Sequence, residues 1–317
     1  MTTECFVLTR AVHFGACLLF FGIFAFDRFV AVSVASRAES ETTNFWPACV
    51  RWFGALTLPV VLLSGLVWFA LVAVTMSGLP LRQALQPETL KTVWIQTEFG
   101  TVWKWRLLLW FAVAISTLLL WFSKPRSSLQ KGLIWIELLL GGLLLGSLAW
   151  AGHGQEDSHW HLLADVMHLL VAGFWPTGLL PLILLLRRLC RNPGSRRVHS
   201  IATLVRRFSA VSLSSVALLA LTGWVNAWFL VGSFSNLVEQ PYGRWLLVKI
   251  ILLGIAVTIG AVNLLRLKPR LAMEKFPMQT VEAAAAQLQF NVQMELILGS
   301  VIIVVVAILG ILPPAVH

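Results

Sequence analysis

The sequence predicts an all-α integral membrane protein that crosses the bilayer eight times, arranged as two parallel four-helix repeats. Three observations predict it. Of the 317 residues, 58% are hydrophobic and 12% charged, with a mean hydropathy of +0.83; a soluble domain carries about 25% charged residues. The apolar residues gather into eight runs, each near the roughly 20 residues that a helix needs to cross ~30 Å of hydrocarbon. The second half of the chain repeats the order of landmarks found in the first. The 15 Trp against a single Tyr fit a membrane interface, where an indole buries its ring and keeps its N–H wet.

The runs are 8–33, 50–77, 100–122, 132–151, 162–186, 208–232, 244–265 and 292–312. The first has no basic region and no small-residue cleavage site before Leu8, so it is read as a retained helix rather than a signal peptide. It carries His13, with Cys17 one turn further on. The third carries Arg106 and the seventh Lys249, long cations expected to snorkel outward. The fourth holds Glu137 near its start and the eighth Glu295 at the matching place; interhelical hydrogen bonding and a role in ion or proton passage both fit them. Gly141, Gly142 and Gly146 in the fourth read as helix packing. The fifth carries His168, the sixth Asn226 and the seventh Asn263. Helices are required because lipid offers open backbone groups no partner, and continuous apolar runs lack the two-residue alternation of a β-barrel.

Lys and Arg set the orientation. Loops 1–2, 3–4, 5–6 and 7–8 with their helix ends hold 17 of them, and the opposite side 7. The positive-inside rule places the first set in the cytoplasm and both termini in the periplasm. The formal net charge of +10 is then an orientation signal, with membrane lipids as the partner of the Arg-dense loop 5–6. No nucleic-acid partner is expected, since no basic–aromatic surface domain is left to bind one.

The internal repeat rests on ordered matches. Residues 50–58 (VRWFGALTL) answer 205–213 (VRRFSAVSL), and Ser64-Gly65 answers Thr222-Gly223. Phe99-Gly100 precedes Arg106 by the interval at which Tyr242-Gly243 precedes Lys249. ELLLG at 137–141 answers ELILG at 295–299, and His13 precedes Arg51 as His168 precedes Arg206. The two units are 1–151 and 152–317. An even number of helices per unit gives both units one orientation, so they relate by a pseudo-two-fold axis along the membrane normal.

Six of the seven histidines, all but His199, fall in the outer half of this topology. His13 and His168 lie about five residues inside their helices, roughly 7–8 Å deep. Intramembrane polar groups are costly and tend to mark function. His13 with Cys17, and His161 with Asp165 and His168, fall on single helical faces. Imidazole joined by a sulfur ligand suits copper. The expected metal ligands are His13, His153 and His168, converging near the axis and taking Cu(I) or Cu(II), with Asp165 orienting a ring. His159, His161 and Cys17 are auxiliary; an ordinary solvated interface histidine also describes His159, His161 and His317. Facing histidines could instead ligate a b-type haem, although no second pair lies deeper. The four cysteines form no CxxC and suggest neither a disulfide framework nor a zinc site. No P-loop, GxGxxG or nucleophile elbow occurs, and no enzyme activity is expected.

The stretch WAGHGQEDSHWHLLADVMHLLVAGFWPTGLLPL (150–182), the run PYGRWLLVKIILLGIAVTIGAVNLLRLKPRL (241–271) and the ending LGILPPAVH (309–317) resemble the copper-resistance protein CopD family. The first half matches it chiefly through His13. The resemblance implies copper handling in the bacterial inner membrane, as uptake from periplasm to cytoplasm, with a periplasmic carrier of the CopC type as partner. No ATPase domain is present, so transport would be passive or coupled to a gradient. An electron-transfer protein and a non-transporting copper-binding or sensory subunit are the alternatives.

Overall fold

The computed structural model describes residues 3–32, 40–125, 127–151, 159–190, 195–272 and 278–316. These residues form helices and short turns, with no strand among them. Eight helices are long and apolar enough to cross a membrane: α1 (Thr3–Phe26), α2 (Ser40–Ser77), α3 (Glu98–Phe122), α4 (Ser128–Gly146), α5 (His159–Cys190), α6 (Ser195–Val231), α7 (Pro241–Val262) and α8 (Met278–Leu309). The protein is an all-α, multi-pass membrane protein.

Each helix matches one predicted run, but three begin much earlier. Helix α2 starts at Ser40 rather than 50, α6 at Ser195 rather than 208, and α8 at Met278 rather than 292. All three extensions lie at the Lys- and Arg-rich ends. Apolar length reports only what lipid demands. Once a helix is nucleated, each added residue gains a hydrogen bond at little further entropic cost, so the helix continues into the polar zone.

Turn chemistry is the same in both halves. Helices α2 and α6 are each followed by a glycine in the left-handed region, Gly78 (φ 64°) and Gly232 (φ 69°), which only glycine adopts freely. Two short helices follow Gly78, Leu81–Ala84 and Pro87–Gln96, and one follows Gly232, Phe234–Glu239; the last in each half leads into the next span. Then α3 and α7 enter with Gly100 and Gly243 pressed against the carbonyls of that short helix, where a Cβ would collide. Two spans also widen into a π turn: Asp27–Ala31 after α1, and Asn263–Leu267 after α7. Such turns free backbone and side-chain groups for other partners. Asp27 accepts from Trp46 Nε1 at 2.8 Å and pairs with Arg28 at 2.6 Å.

Helices α1 and α5 run through the centre. Helix α1 packs on α2, α4, α5 and α8, and α5 on α1, α4, α6 and α8. They cross where side chains are smallest. A Cβ on Gly22 would meet the Gly173 carbonyl and Thr177, and one on Gly173 would come within 2.7 Å of Leu145 and 2.8 Å of Phe21. Hydrocarbon gives helices no hydrophobic reason to associate, so close backbone approach through small residues supplies the packing. Phe20, Phe24 and Phe26 fill the space around the crossing and are fully buried.

The crossing makes a stability prediction. Gly22→Val should lower thermal stability by at least 1–3 kcal/mol, the usual range for overpacking, because the colliding atom is backbone and cannot swing aside. Gly15→Ala, with nothing within 4 Å of its new Cβ, should be neutral or mildly stabilising. Unfolding of detergent-solubilised protein followed by size-exclusion fluorescence compares the two.

Candidate functional site

Three helices of the first half converge on His13. Helix α1 supplies His13 and, one turn along, Cys17; α2 supplies Ser64 and Trp68; α3 supplies Trp103 and Arg106. The Ser64 hydroxyl donates to Val60 O at 2.5 Å, so toward His13 Nδ1, 3.0 Å away, it is an acceptor. The ring therefore carries its proton on Nδ1. That leaves Nε2 as the acceptor for Arg106 Nη2 at 2.7 Å. Arg106 is fixed further by Leu144 O at 3.0 Å and Ser147 Oγ at 2.5 Å, at the end of α4. Cys17 Sγ lies 3.8 Å from His13 Nε2 and 3.9 Å from Arg106 Nη2. Trp68 and Trp103 close the site, with ring centroids 5.4 and 5.7 Å from the imidazole.

The second half builds the same centre from α5, α6 and α7. The Thr222 hydroxyl donates to Leu218 O at 2.7 Å and accepts from His168 Nδ1 at 2.9 Å. His168 Nε2 receives Lys249 Nζ at 3.3 Å. Gly223 passes the ring as Gly65 does in the first half: a Cβ would stand 3.4 Å from His168 Cε1 and 3.2 Å from His13 Cε1. Ser64 and Thr222, Gly65 and Gly223, and Arg106 and Lys249 are thus paired in contact as well as in sequence.

The centres differ in charge. Three residues before His168 stands Asp165, which accepts from Asn226 Nδ2 at 3.1 Å and lies near Lys249. Three residues before His13 stands Arg10, whose guanidinium lies 4.8 Å from the Trp68 ring centroid. Trp68 follows Ser64 as Asn226 follows Thr222. The second centre therefore offsets a cation with a carboxylate, while the first holds two cations. Among the described residues the one ion pair at contact distance is Asp27–Arg28. The first centre is also the more enclosed: His13 is 1% and Arg106 2% exposed, whereas Asp165, His168 and Lys249 are half-buried.

A second polar layer lies deeper. Glu137 accepts from Thr117 Oγ1 at 2.9 Å. Glu295 ends an amide chain: Gln287 donates to Asn291 at 2.8 Å, Asn291 to Asn263 at 2.7 Å, and Asn263 to Glu295 at 2.7 Å. Glu295 also lines a cavity of about 130 Å³ between α5, α6, α7 and α8, with Ser209, Ser212 and Asn263. Lys249 and Asn263 stand 14 residues apart on α7, which puts the two layers about 21 Å apart.

The expected site residues are distributed as follows. His13 and His168 face inward but share no partner; each is bonded within its own half. His153 and His317 lie outside the described residues. His159 is exposed at the start of α5, while His161 is buried and stacks on Phe229 with centroids 4.9 Å apart. Among the described residues, no three His, Cys, Asp or Glu side chains are gathered as a metal cluster. Arg106 and Lys249 do not snorkel outward as expected. They turn in, because an imidazole lone pair satisfies a cation that hydrocarbon cannot. Sequence reading passed over Arg10, Ser64, Trp68, Trp103 and Thr222 as members of the site. A signal existed in the Ser64/Thr222 match, but it marked the repeat and not the hydrogen bond.

Comparison with known proteins gives matches over both halves. A family profile described as copper resistance protein D matches residues 202–309, and one described as copper resistance protein D-like, N-terminal domain, matches residues 1–163. The chain is 31% identical to copper resistance protein D of Pseudomonas syringae pv. tomato, over 97% of each chain. It is 27% identical to copper transport protein CutJ of Bacillus subtilis, over 81% of this chain and 45% of that one. It is 25% identical to inner membrane protein YebZ of Escherichia coli, over 97% of this chain and 98% of that one.

The hydroxyl–imidazole bonds predict matched losses in the two halves. Ser64→Ala and Thr222→Val each leave a ring N–H without its acceptor, which costs about 1–3 kcal/mol when the group stays buried. The loss at Ser64 should be the larger, since His13 is the more enclosed ring. Thermal unfolding of the single variants measures both.

Proposed function

Because the chain belongs to the copper resistance protein D family, we propose that it is a copper-handling protein of the bacterial inner membrane that takes copper up from the periplasm toward the cytoplasm. The observation that carries the site assignment is the His168 centre. It holds an imidazole and a carboxylate one turn apart around a positive charge that Lys249 supplies. A copper ion takes the place of that ammonium. Lysine suits the exchange: its charge is a compact point on a flexible stem, and a single bond of 3.3 Å ties it to the ring. Arg106 is the opposite case, clamped by bonds to Leu144 and Ser147 as well as His13. Copper therefore enters at His168 with Asp165, and His13 stays bound to its guanidinium.

In this reading His161, on the same helical face, completes the capture site, with His153, which follows the fourth apolar run in the sequence, as a further ligand, and Cys17 and His159 remain peripheral to it. The 17 to 7 charge asymmetry supports a periplasmic position for this end. The two halves are parallel repeats about an axis along the membrane normal, supported by the paired contacts of Ser64 with Thr222 and Arg106 with Lys249. The deeper layer at Glu295 receives the ion on the cytoplasmic side, and Glu137 marks the matching place in the first half. A CopC-type periplasmic carrier delivers copper, and no ATPase drives it. The protein converts no substrate chemically, and b-type haem is not part of the reading.

Copper titration and proteoliposome flux test the assignment. Purified protein should bind copper without a Soret band. His168→Ala and Asp165→Asn should each weaken binding about tenfold or more, on the scale of lost metal ligands and their supporting groups. Lys249→Met should tighten it by removing the competing cation, and His13→Ala should change it least. Binding should fade as pH falls, because an imidazole must be neutral to ligate. Unchanged affinity in His168→Ala would overturn the site.

Orientation is checked separately. In a Cys5→Ser background, which removes the exposed native thiol of the N-terminus, a cysteine introduced at Ser195, the first residue of α6, should resist an impermeant thiol reagent in intact spheroplasts and react once they are opened. Labelling from outside would reverse the topology.

A further inference from the structure

Among the described residues no carboxylate balances the charge of the first centre. Arg10 and Arg106 are both buried, at 7% and 2% exposure, and Arg106 is bonded to His13 at 2.7 Å. Arg10 rests on the Trp68 ring and Arg106 on the Trp103 ring, with centroid distances of 4.8 and 5.3 Å, and the two rings touch at 5.7 Å. So both guanidinium groups belong to one cluster. Among the described residues no carboxylate lies within ion-pair distance of either.

The unmatched hydrogen-bonding capacity has the same sign. Arg10 Nε, Arg106 Nε, Trp68 Nε1 and Trp103 Nε1 are all buried without an acceptor among the described residues. All four are donors, and native proteins leave few such groups unsatisfied. Four in one cluster, beside two buried cations, describe a place that lacks an anion. The second half shows what the framework does when an anion is built in. At the position of Arg10 it has Asp165, and at the position of Trp68 it has Asn226, which donates to that carboxylate.

We propose that the first centre is a binding site for a small anion, held by the Arg10 and Arg106 guanidinium groups with the Trp68 and Trp103 indole N–H groups as further donors. The anion supplies to the first half the negative charge that Asp165 supplies to the second. Guanidinium forks and indole N–H groups bind halides, nitrate and phosphate oxygens alike, so the source is either a free inorganic anion or the phosphate of a lipid headgroup. The site is independent of copper: it concerns the half in which no metal is placed.

The test uses the full-length protein, copper-free and delipidated, in dodecyl maltoside micelles, which carry no phosphate, and gluconate buffer at constant ionic strength. Replacing gluconate by chloride or nitrate should raise Tm saturably, by about 5 °C at a hundredfold excess over Kd. A rise on adding phosphatidylglycerol to the micelles but not with chloride or nitrate assigns the anion to a headgroup and equally supports the site. Arg10→Lys should keep the response. Arg10→Asp, which gives the first half the acid of the second, should abolish it and raise the Tm in gluconate above that of the wild type. The proposal is overturned if no anion and no anionic lipid shifts the wild type, or if Arg10→Asp responds as the wild type does. Should Arg10→Asp not fold, crystals of the wild type grown with bromide decide: a bromide anomalous peak or lipid phosphate density against Arg10 and Arg106 supports the site, and the absence of both removes it. Because every arm is copper-free, failure here leaves the copper reading standing, and the copper experiments can fail without touching this one.

Discussion

Hydrocarbon offers no hydrogen-bond partner, so each polar group carried into the spans must be met by the helix itself or by a neighbouring side chain. The arrangement of the polar residues follows from that constraint. Ser64 and Thr222 return their hydroxyl protons to carbonyls one turn back on their own helices, which frees each oxygen to accept from a histidine. The histidine proton is thereby fixed on Nδ1, and its Nε2 lone pair can satisfy a long cation from the third helix of the unit. A hydroxyl, an imidazole and a cation thus tie three helices of each half together. Deeper in, Thr117 with Glu137 and the chain from Gln287 to Glu295 repeat the solution with carboxylates.

The architecture was largely legible from sequence, because lipid imposes a length and a polarity that composition records directly. All eight spans lie where apolar runs placed them. What composition could not record was how far α2, α6 and α8 continue once lipid no longer constrains them. The sequence matches of Gly100 with Gly243 and Ser64 with Thr222 have counterparts in contact, since each pair is held by neighbours that few other residues allow. The site was only half legible. Histidines inside spans announced themselves by their cost, but the direction in which Arg106 points depends on a lone pair 93 residues away in the chain. Snorkelling is the local expectation for a long cation near a helix end, and a tertiary acceptor overrode it.

The two centres share a framework and differ in charge. The contacts of the ring are the same in both: a glycine beside the imidazole, a hydroxyl on its Nδ1, a cation on its Nε2. The side chains that set charge and mobility differ. Arg106 is held by three acceptors and stands among aromatic rings. Lys249 is held by one, near a carboxylate and an amide. A fork with several fixed partners cannot leave one of them without disturbing the rest, whereas a point charge on a flexible stem can.

In the proposed reading, that difference decides where copper is admitted. Bringing a cation beside two buried guanidinium groups is opposed by like charge in a medium where such repulsion is weakly screened. In that reading, Cu(I) beside Asp165 leaves the local charge unchanged only if the Lys249 ammonium swings away toward water or gives up its proton as the ion enters. The carboxylate then sets the total charge that the second centre tolerates, and that total allows one cation at a time. An ion passing inward from His168 would leave the ammonium free to return to the imidazole, which resets the site without an external energy source at that step.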